Sequence, residues 1–213
     1  MKIGFDVSQT GSQKTGTGFY ALSLIQALLE LDAENAYTLY PTFGEYYWDQ
    51  EWEKTIPRIP GFKNHLGAGQ KTPAEMRSFW RNPAADIEAR LGSPDLVHAL
   101  NFYCPTCLQQ ARLVFTLYDL AFMVEPDWTT ESTRIICFDG ASKASLNADG
   151  ILTISEASRA DFLRFFPHYP AERIQIVYPT NRFTAQSPVR APELPEFIHS
   201  GRYWLAVGTL ETR

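Results

Sequence analysis

Short apolar runs alternate along this chain with longer stretches whose apolar residues recur at helical spacing, and that alternation limits the folds open to it. Residues 2–7, Lys-Ile-Gly-Phe-Asp-Val, are too few for a helix and read as a buried first strand. A polar, glycine-rich connection follows. Beyond it Phe19, Leu22, Leu24, Ile25, Leu28, Leu29 and Leu31 keep the period of a helix laid on a sheet, which predicts a helix over 18–31. Residues 37–40 read as a second strand closed by Pro41, and 95–100, 112–117, 150–154 and 174–178 as four more. Between them, 74–91 reads as helical with a break at Pro83, 130–148 as a helix, and 156–166 as a helix capped by Ser155 and stopped by Pro167. Strands and helices in this order predict a Rossmann-like, doubly wound parallel α/β sheet with the first strand central.

Two regions break the pattern. Residues 45–73 carry Trp48, Trp52, Pro57, Pro60, Gly61, Gly67 and Gly69 and read as an irregular excursion. Residues 181–200 hold three prolines and little periodicity, and an apolar strand candidate follows at 203–208. The expected organisation is therefore one domain over 1–180, a linker over 181–202, and at 203–213 the first strand of a second domain whose remainder is missing.

The 213 residues include 19 Lys and Arg against 24 Asp and Glu, giving a net charge of -5 with no basic block, so nucleic acid is not an expected partner. The longest apolar stretch, 113–124, is interrupted by Asp119 and falls short of the roughly 20 residues of a membrane span. Met1 and Lys2 lead directly into the first strand, leaving no signal-peptide core, so a cytoplasmic protein is expected. Three cysteines, at 104, 107 and 137, are too few and odd in number for a disulfide framework.

Thr15-Gly16-Thr17-Gly18 stands between the first strand and the first helix, where backbone N–H groups and the positive helix end can hold a phosphate. Thr17 occupies the place of a P-loop lysine, and about nine residues separate strand from Gly16 where a dinucleotide fingerprint has a tight turn. Asp119 follows the strand 112–117 at the carboxyl edge where open α/β sheets bind ligands, and Tyr118 beside it offers a phenol. Ser155 and Glu156 stand at the next such edge, where they also suit a helix cap and its first-turn acid. Cys104-Pro-Thr-Cys107, with His98 and Cys137, resembles a redox or metal hairpin, but the pair lies between strands with no second such motif. Trp48, Trp52, Phe79 and Trp80 suit either an acceptor platform or packing.

Taken together, KIGFDVSQT, TGTGFY with ALSLIQALLEL, DLVHALNFYCP, RLVFTLYDLAF, ILTISEASRADFL, RIQIVYP and YWLAVGTLETR resemble, in order from 1 to 213, the amino-terminal half of bacterial retaining glycosyltransferases of family 4. The resemblance implies the GT-B fold, two facing Rossmann-like domains of which the first holds mainly the acceptor and the second the nucleotide-sugar. It implies transfer of a hexose, such as mannose, to a glycan or lipid-linked acceptor with retention, in cell-surface polysaccharide synthesis. No cofactor or metal is expected, and the site is expected in the cytoplasm, extending to the inner face of the membrane. Gly16, Thr17 and Gly18 would lie near the donor diphosphate and acceptor, Asp119 and Tyr118 at the cleft floor, Ser155 and Glu156 at its side, and Arg213 on the donor diphosphate. The family usually has His where this chain has Tyr118, so an imidazole role does not carry over. Without the second domain's charged clamp, the isolated chain is expected to be inactive. The alternative readings are a non-catalytic Rossmann-like binding or interaction module and a nicotinamide-dependent oxidoreductase.

Overall fold

The computed structural model describes residues 1–11, 14–45, 47–48 and 73–181. The chain runs through β1 (Lys2–Asp6), α1 (Gly16–Leu31), β2 (Ala36–Tyr40), a short hairpin of β3 (Thr42–Phe43) and β4 (Tyr47–Trp48), α2 (Pro73–Arg81) and α3 (Ile87–Arg90). It continues with β5 (Leu96–Ala99), β6 (Arg112–Leu117), α4 (Ala121–Val124), α5 (Glu131–Asn147), β7 (Gly150–Thr153), α6 (Glu156–Phe165) and β8 (Ile174–Ile176). Single 3-10 turns occupy Pro126–Trp128 and Ala171–Arg173.

Six strands form one parallel sheet in the order β2-β1-β5-β6-β7-β8. The first strand is thus second from one edge, not central as expected. Among the described residues only β2 is laid on its outer side, and the hairpin β3–β4 forms a separate two-stranded sheet instead of extending that edge. The chain then reverses across β1 to place β5, so the topological switch point, and the crevice it opens, lies between β1 and β5.

Strand periodicity feeds two clusters of buried side chains. Phe5 and Val7, with Tyr37 and Leu39 from β2, pack on Tyr20, Ala21 and Ile25 of α1. Val97, Ala99, Leu113, Phe115 and Leu117 share a second cluster with Cys137, Ala141 and Ala144 of α5 and Phe162 of α6. Gly140 lets α5 settle directly on the chain at Phe102, since a Cβ there would stand 1.9 Å from the Phe102 carbonyl oxygen. The helix predicted over 74–91 stops at Arg81 and resumes at Ile87, as Pro83 requires.

Helix α1 begins at Gly16, two residues before the expected start, so Gly16 and Gly18 are its first turn and not a loop ahead of it. The turn closes where the Phe19 N–H donates to the Thr15 carbonyl at 2.9 Å. The linker expected at 181–202, apart from Asn181, and the strand expected at 203–213 lie outside the described residues, as do Trp52 and the Trp48 side chain.

Candidate functional site

At the carboxyl edge of the sheet, three segments meet around the switch point. The first is the connection from β1 into α1. Thr15 gives α1 no side-chain cap and its first turn contains no acidic residue, so among the described residues no side chain neutralises the positive end of this helix of 16 residues. Gly16 is exposed and a Cβ there would meet nothing within 4 Å among the described residues, whereas Gly18 is buried and a Cβ would stand 2.0 Å from the Gln9 carbonyl oxygen. The Thr17 hydroxyl donates to the Gln9 side chain. Lys14 lies beside this turn, its ammonium bonded to the Gly11 carbonyl at 3.2 Å and standing 5.2 Å from the Phe19 ring centre.

The second segment leaves β6. Asp119 is exposed, and its carboxylate accepts the Ala121 N–H at 3.0 Å, which starts α4. It also adds to the burial that pushes the Cys137 thiol up to about 12. Tyr118 lies buried beneath the crevice. It is 6% exposed, its phenol donates to the Leu100 carbonyl at 2.7 Å, and its ring meets Tyr20 of α1 edge-on at 5.7 Å. That contact brings the start of α1 and the end of β6 together, but it engages the hydroxyl in packing and removes Tyr118 from the candidate reacting groups.

Ser155 and Glu156, the third segment, are the cap of α6. The Ser155 hydroxyl accepts the Ser158 N–H at 3.1 Å, and Glu156 is exposed in the first turn. Ser158 in turn donates its hydroxyl to the Tyr118 carbonyl at 2.6 Å, tying α6 to the end of β6. Arg213 lies outside the described residues.

Sequence reasoning missed a buried polar network at the switch point. The Asp6 carboxylate, 2% exposed, accepts the Ser8 N–H at 2.9 Å and the Leu100 N–H at 3.1 Å. Asn101, fully buried, donates to the Ser8 hydroxyl at 3.0 Å and the Phe43 carbonyl at 3.1 Å, and accepts the Tyr103 N–H at 2.7 Å. The available signal was an acid at the end of an otherwise apolar strand, a placement that costs free energy unless hydrogen bonds offset it.

The cysteine motif points away from redox chemistry. Burial pushes the Cys104 thiol up to about 12 and raises Cys107, the opposite of the lowered value a reactive pair uses. His98 hydrogen-bonds the Thr116 hydroxyl at 2.8 Å, and burial pushes it down to about 3, so it stays neutral. Phe79 and Trp80 are buried, Trp80 packing 4.7 Å from Phe43 between ring centres, so they belong to the core and not to a platform. Among the described residues, no helix is long and apolar enough to cross a membrane.

Past Asp119, α4 and α5 enclose a groove of about 470 Å³ lined by Phe122, Met123, Ile135 and Phe138, with Arg134, Asp139 and Lys143 among its polar groups. Its volume falls within the range of ~300–1,000 Å³ usual for small-ligand sites.

No protein-family profile matches the chain. A curated relative, O-antigen chain mannosyltransferase B of Escherichia coli, is 28% identical over 231 residues, an alignment that covers all of this chain. The chain spans 57% of the length of that relative. Among solved structures, Anabaena Alr3699/HepE in complex with UDP and glucose superposes with a TM-score of 0.52 at 17% identity, over 84% of this chain and 44% of that one. The same protein in complex with UDP-glucose gives 0.52 at 16% identity, over the same shares. These likenesses establish the fold. It is a Rossmann-like parallel α/β domain of the kind that forms the amino-terminal part of GT-B proteins.

Proposed function

We propose that this chain is the amino-terminal, acceptor-holding part of a retaining glycosyltransferase of family 4. The enzyme moves a hexose, mannose being the leading candidate, from a nucleotide-sugar to a glycan or lipid-linked acceptor in cell-surface polysaccharide synthesis. The observation that carries this reading is the Tyr20–Tyr118 contact, which packs α1, whose N-terminus has no side-chain cap, against the residue next to the exposed Asp119 at the carboxyl edge of the sheet. The 28% identity to a mannosyltransferase over the whole chain supports the same assignment.

In this reading the first-turn amides of α1 face the donor diphosphate, and Gly16 leaves its approach unobstructed. Fixed dipoles of this kind stabilise charge that develops on a leaving diphosphate, and they do so without a metal ion. Asp119, already fixed by its bond to the Ala121 N–H, stands where an acceptor hydroxyl or the transferred sugar would accept or donate a hydrogen bond. The groove behind it, between α4 and α5, admits the acceptor. Ser155 and Glu156 border the crevice from the α6 side, and Arg213 supplies a cation to the diphosphate. The division into a domain over 1–180, a linker over 181–202 and a second domain starting within 203–213 completes the proposal.

The test is transfer from a panel of nucleotide-sugars to oligosaccharide acceptors by the protein expressed from its complete coding sequence. Gly16→Val and Asp119→Asn should each lower kcat about 100-fold or more while leaving the melting temperature nearly unchanged. The 213-residue chain alone should transfer nothing. Wild-type transfer that survives both substitutions would overturn the assignment of the site, and hydride transfer with a nicotinamide cofactor would overturn the reaction class.

A further inference from the structure

The buried network between β1 and β5 holds together the two strands that border the crevice. Where a chain reverses direction across a strand, the connections leaving the two neighbours run apart, and nothing in the sheet's own hydrogen bonding fixes their separation. Here Asp6 spans the gap. One carboxylate oxygen takes the Ser8 N–H at 2.9 Å, from the connection into α1, and the other takes the Leu100 N–H at 3.1 Å, from the chain leaving β5. The Ser8 hydroxyl and the Asn101 N–H also lie near enough to favour the charged carboxylate against the cost of its burial. Asn101 closes the ring by donating to the Ser8 hydroxyl at 3.0 Å. Only an acceptor with two oxygens directed at donors from both sides fits this place.

We propose that Asp6 is a positioning residue of the site, a carboxylate clamp that holds the β1–α1 connection and the segment leaving β5 at one separation and so aims the start of α1 into the crevice. The functional consequence rests on the transferase reading; the clamp itself is testable without it. Every group meeting the carboxylate is a donor, so a protonated Asp6 presents a hydrogen where an acceptor is needed and the clamp opens. Burial pushes its carboxyl up to about 6, which brings that opening to mildly acidic pH. The groups that face it from the neighbouring elements are Tyr40 of β2, Tyr118 after β6, and Tyr20 of α1 beyond Tyr118, while His98 of β5 pairs with Phe5 and packs on its ring on the other face of the sheet. Burial raises all three tyrosines and keeps His98 neutral, so of these groups Asp6 alone changes charge over the pH range in which the enzyme would work.

The first measurement needs no substitution. In the wild-type protein, the backbone amide resonances of Ser8 and Leu100 should titrate together with a midpoint near 6, reporting one event on both sides of the crevice. A midpoint at the ordinary carboxylate value of about 4, or a shift at one amide only, overturns the clamp. The second measurement is sugar transfer by the protein from its complete coding sequence. Wild-type kcat should fall as pH drops below the amide midpoint. In Asp6→Asn, kcat should be about 100-fold lower, KM for the donor little changed, and that acid limb absent. An acid limb that persists in Asp6→Asn, or an unchanged kcat, overturns the positioning role. Should Asp6→Asn fail to fold, Ser8→Ala removes one donor to the carboxylate and should move the amide midpoint upward; an unmoved midpoint counts against the clamp. If no sugar is transferred by the wild type from any donor, the transferase reading fails while the amide titration still decides the clamp.

Discussion

Asp6 and His98, fully buried on adjacent strands, should oppose each other in the pH dependence of stability. Burial pushes His98 down from 6.5 to about 3 and Asp6 up from 3.8 to about 6. For His98 the unfolded chain takes its proton first, so the stability this group contributes is lost as pH falls from about 6.5 towards about 3. For Asp6 the folded chain takes its proton first, so stability is gained as pH falls from about 6 to about 4 and lost again as pH rises. Each proton difference changes the unfolding free energy by about 1.4 kcal/mol per pH unit, and the two slopes have opposite signs. Between about pH 6 and about pH 4 they cancel, so this pair adds no net slope to the wild type's stability there. Asp6→Asn removes one slope and uncovers the other, giving a loss of about 3 kcal/mol over those two units. Urea unfolding followed by tryptophan fluorescence at half-unit steps of pH measures both curves. Parallel curves for the two proteins, or a wild type that declines as steeply as the variant, would refute the opposition.

The two glycines at the start of α1 should respond differently. Gly18→Ala forces a methyl onto the Gln9 backbone and should cost about 1–3 kcal/mol in urea unfolding, whereas Gly16→Ala should be neutral or gain up to about 1 kcal/mol; equal effects at both would contradict the geometry. In α5, Gly140→Ala should lower the melting temperature although alanine is the better helix former, because the overlap is with the Phe102 backbone and costs about 1–3 kcal/mol; a higher melting temperature by calorimetry would show that α5 can move away. Cys104 is 2% exposed and Cys107 half-buried, so Cys104→Ser should destabilise by about 1–3 kcal/mol and Cys107→Ser by less, with neither altering sugar transfer. Loss of transfer in folded Cys107→Ser would restore a functional role to the pair.

The sheet was legible because parallel strands covered on both faces are near-continuous apolar runs, so Leu113, Phe115 and Leu117 announce β6 without further context. Strand order was legible only in part. Periodicity carries no information on which side of β1 a later strand will pair, and the placement of β1 one strand from the edge follows from the hairpin β3–β4 turning away, a two-residue feature below the resolution of any pattern. Helix α4 escaped notice because its apolar residues continue those of β6 past Asp119, and what divides them is the Asp119 bond to the Ala121 N–H.

Within the site, residue type located the edge, and contacts decided the roles. Tyr118 stands beside Asp119, yet it is buried against Leu100 and Tyr20 while its neighbour is exposed; two adjacent residues beyond a strand end point to different environments, and only packing distinguishes them. The Thr15-Gly16-Thr17-Gly18 motif divides in the same way. Gly18 is required by the fold, since the Gln9 carbonyl rests where its side chain would be, and Gly16 is required by nothing in the described chain. A glycine that the fold does not need, at the exposed first position of a helix whose own cap is missing, carries a cost in helix propensity with no structural return. That is the pattern expected where a backbone must be approached by something other than protein, which is why the proposed site is set at the first of the two glycines.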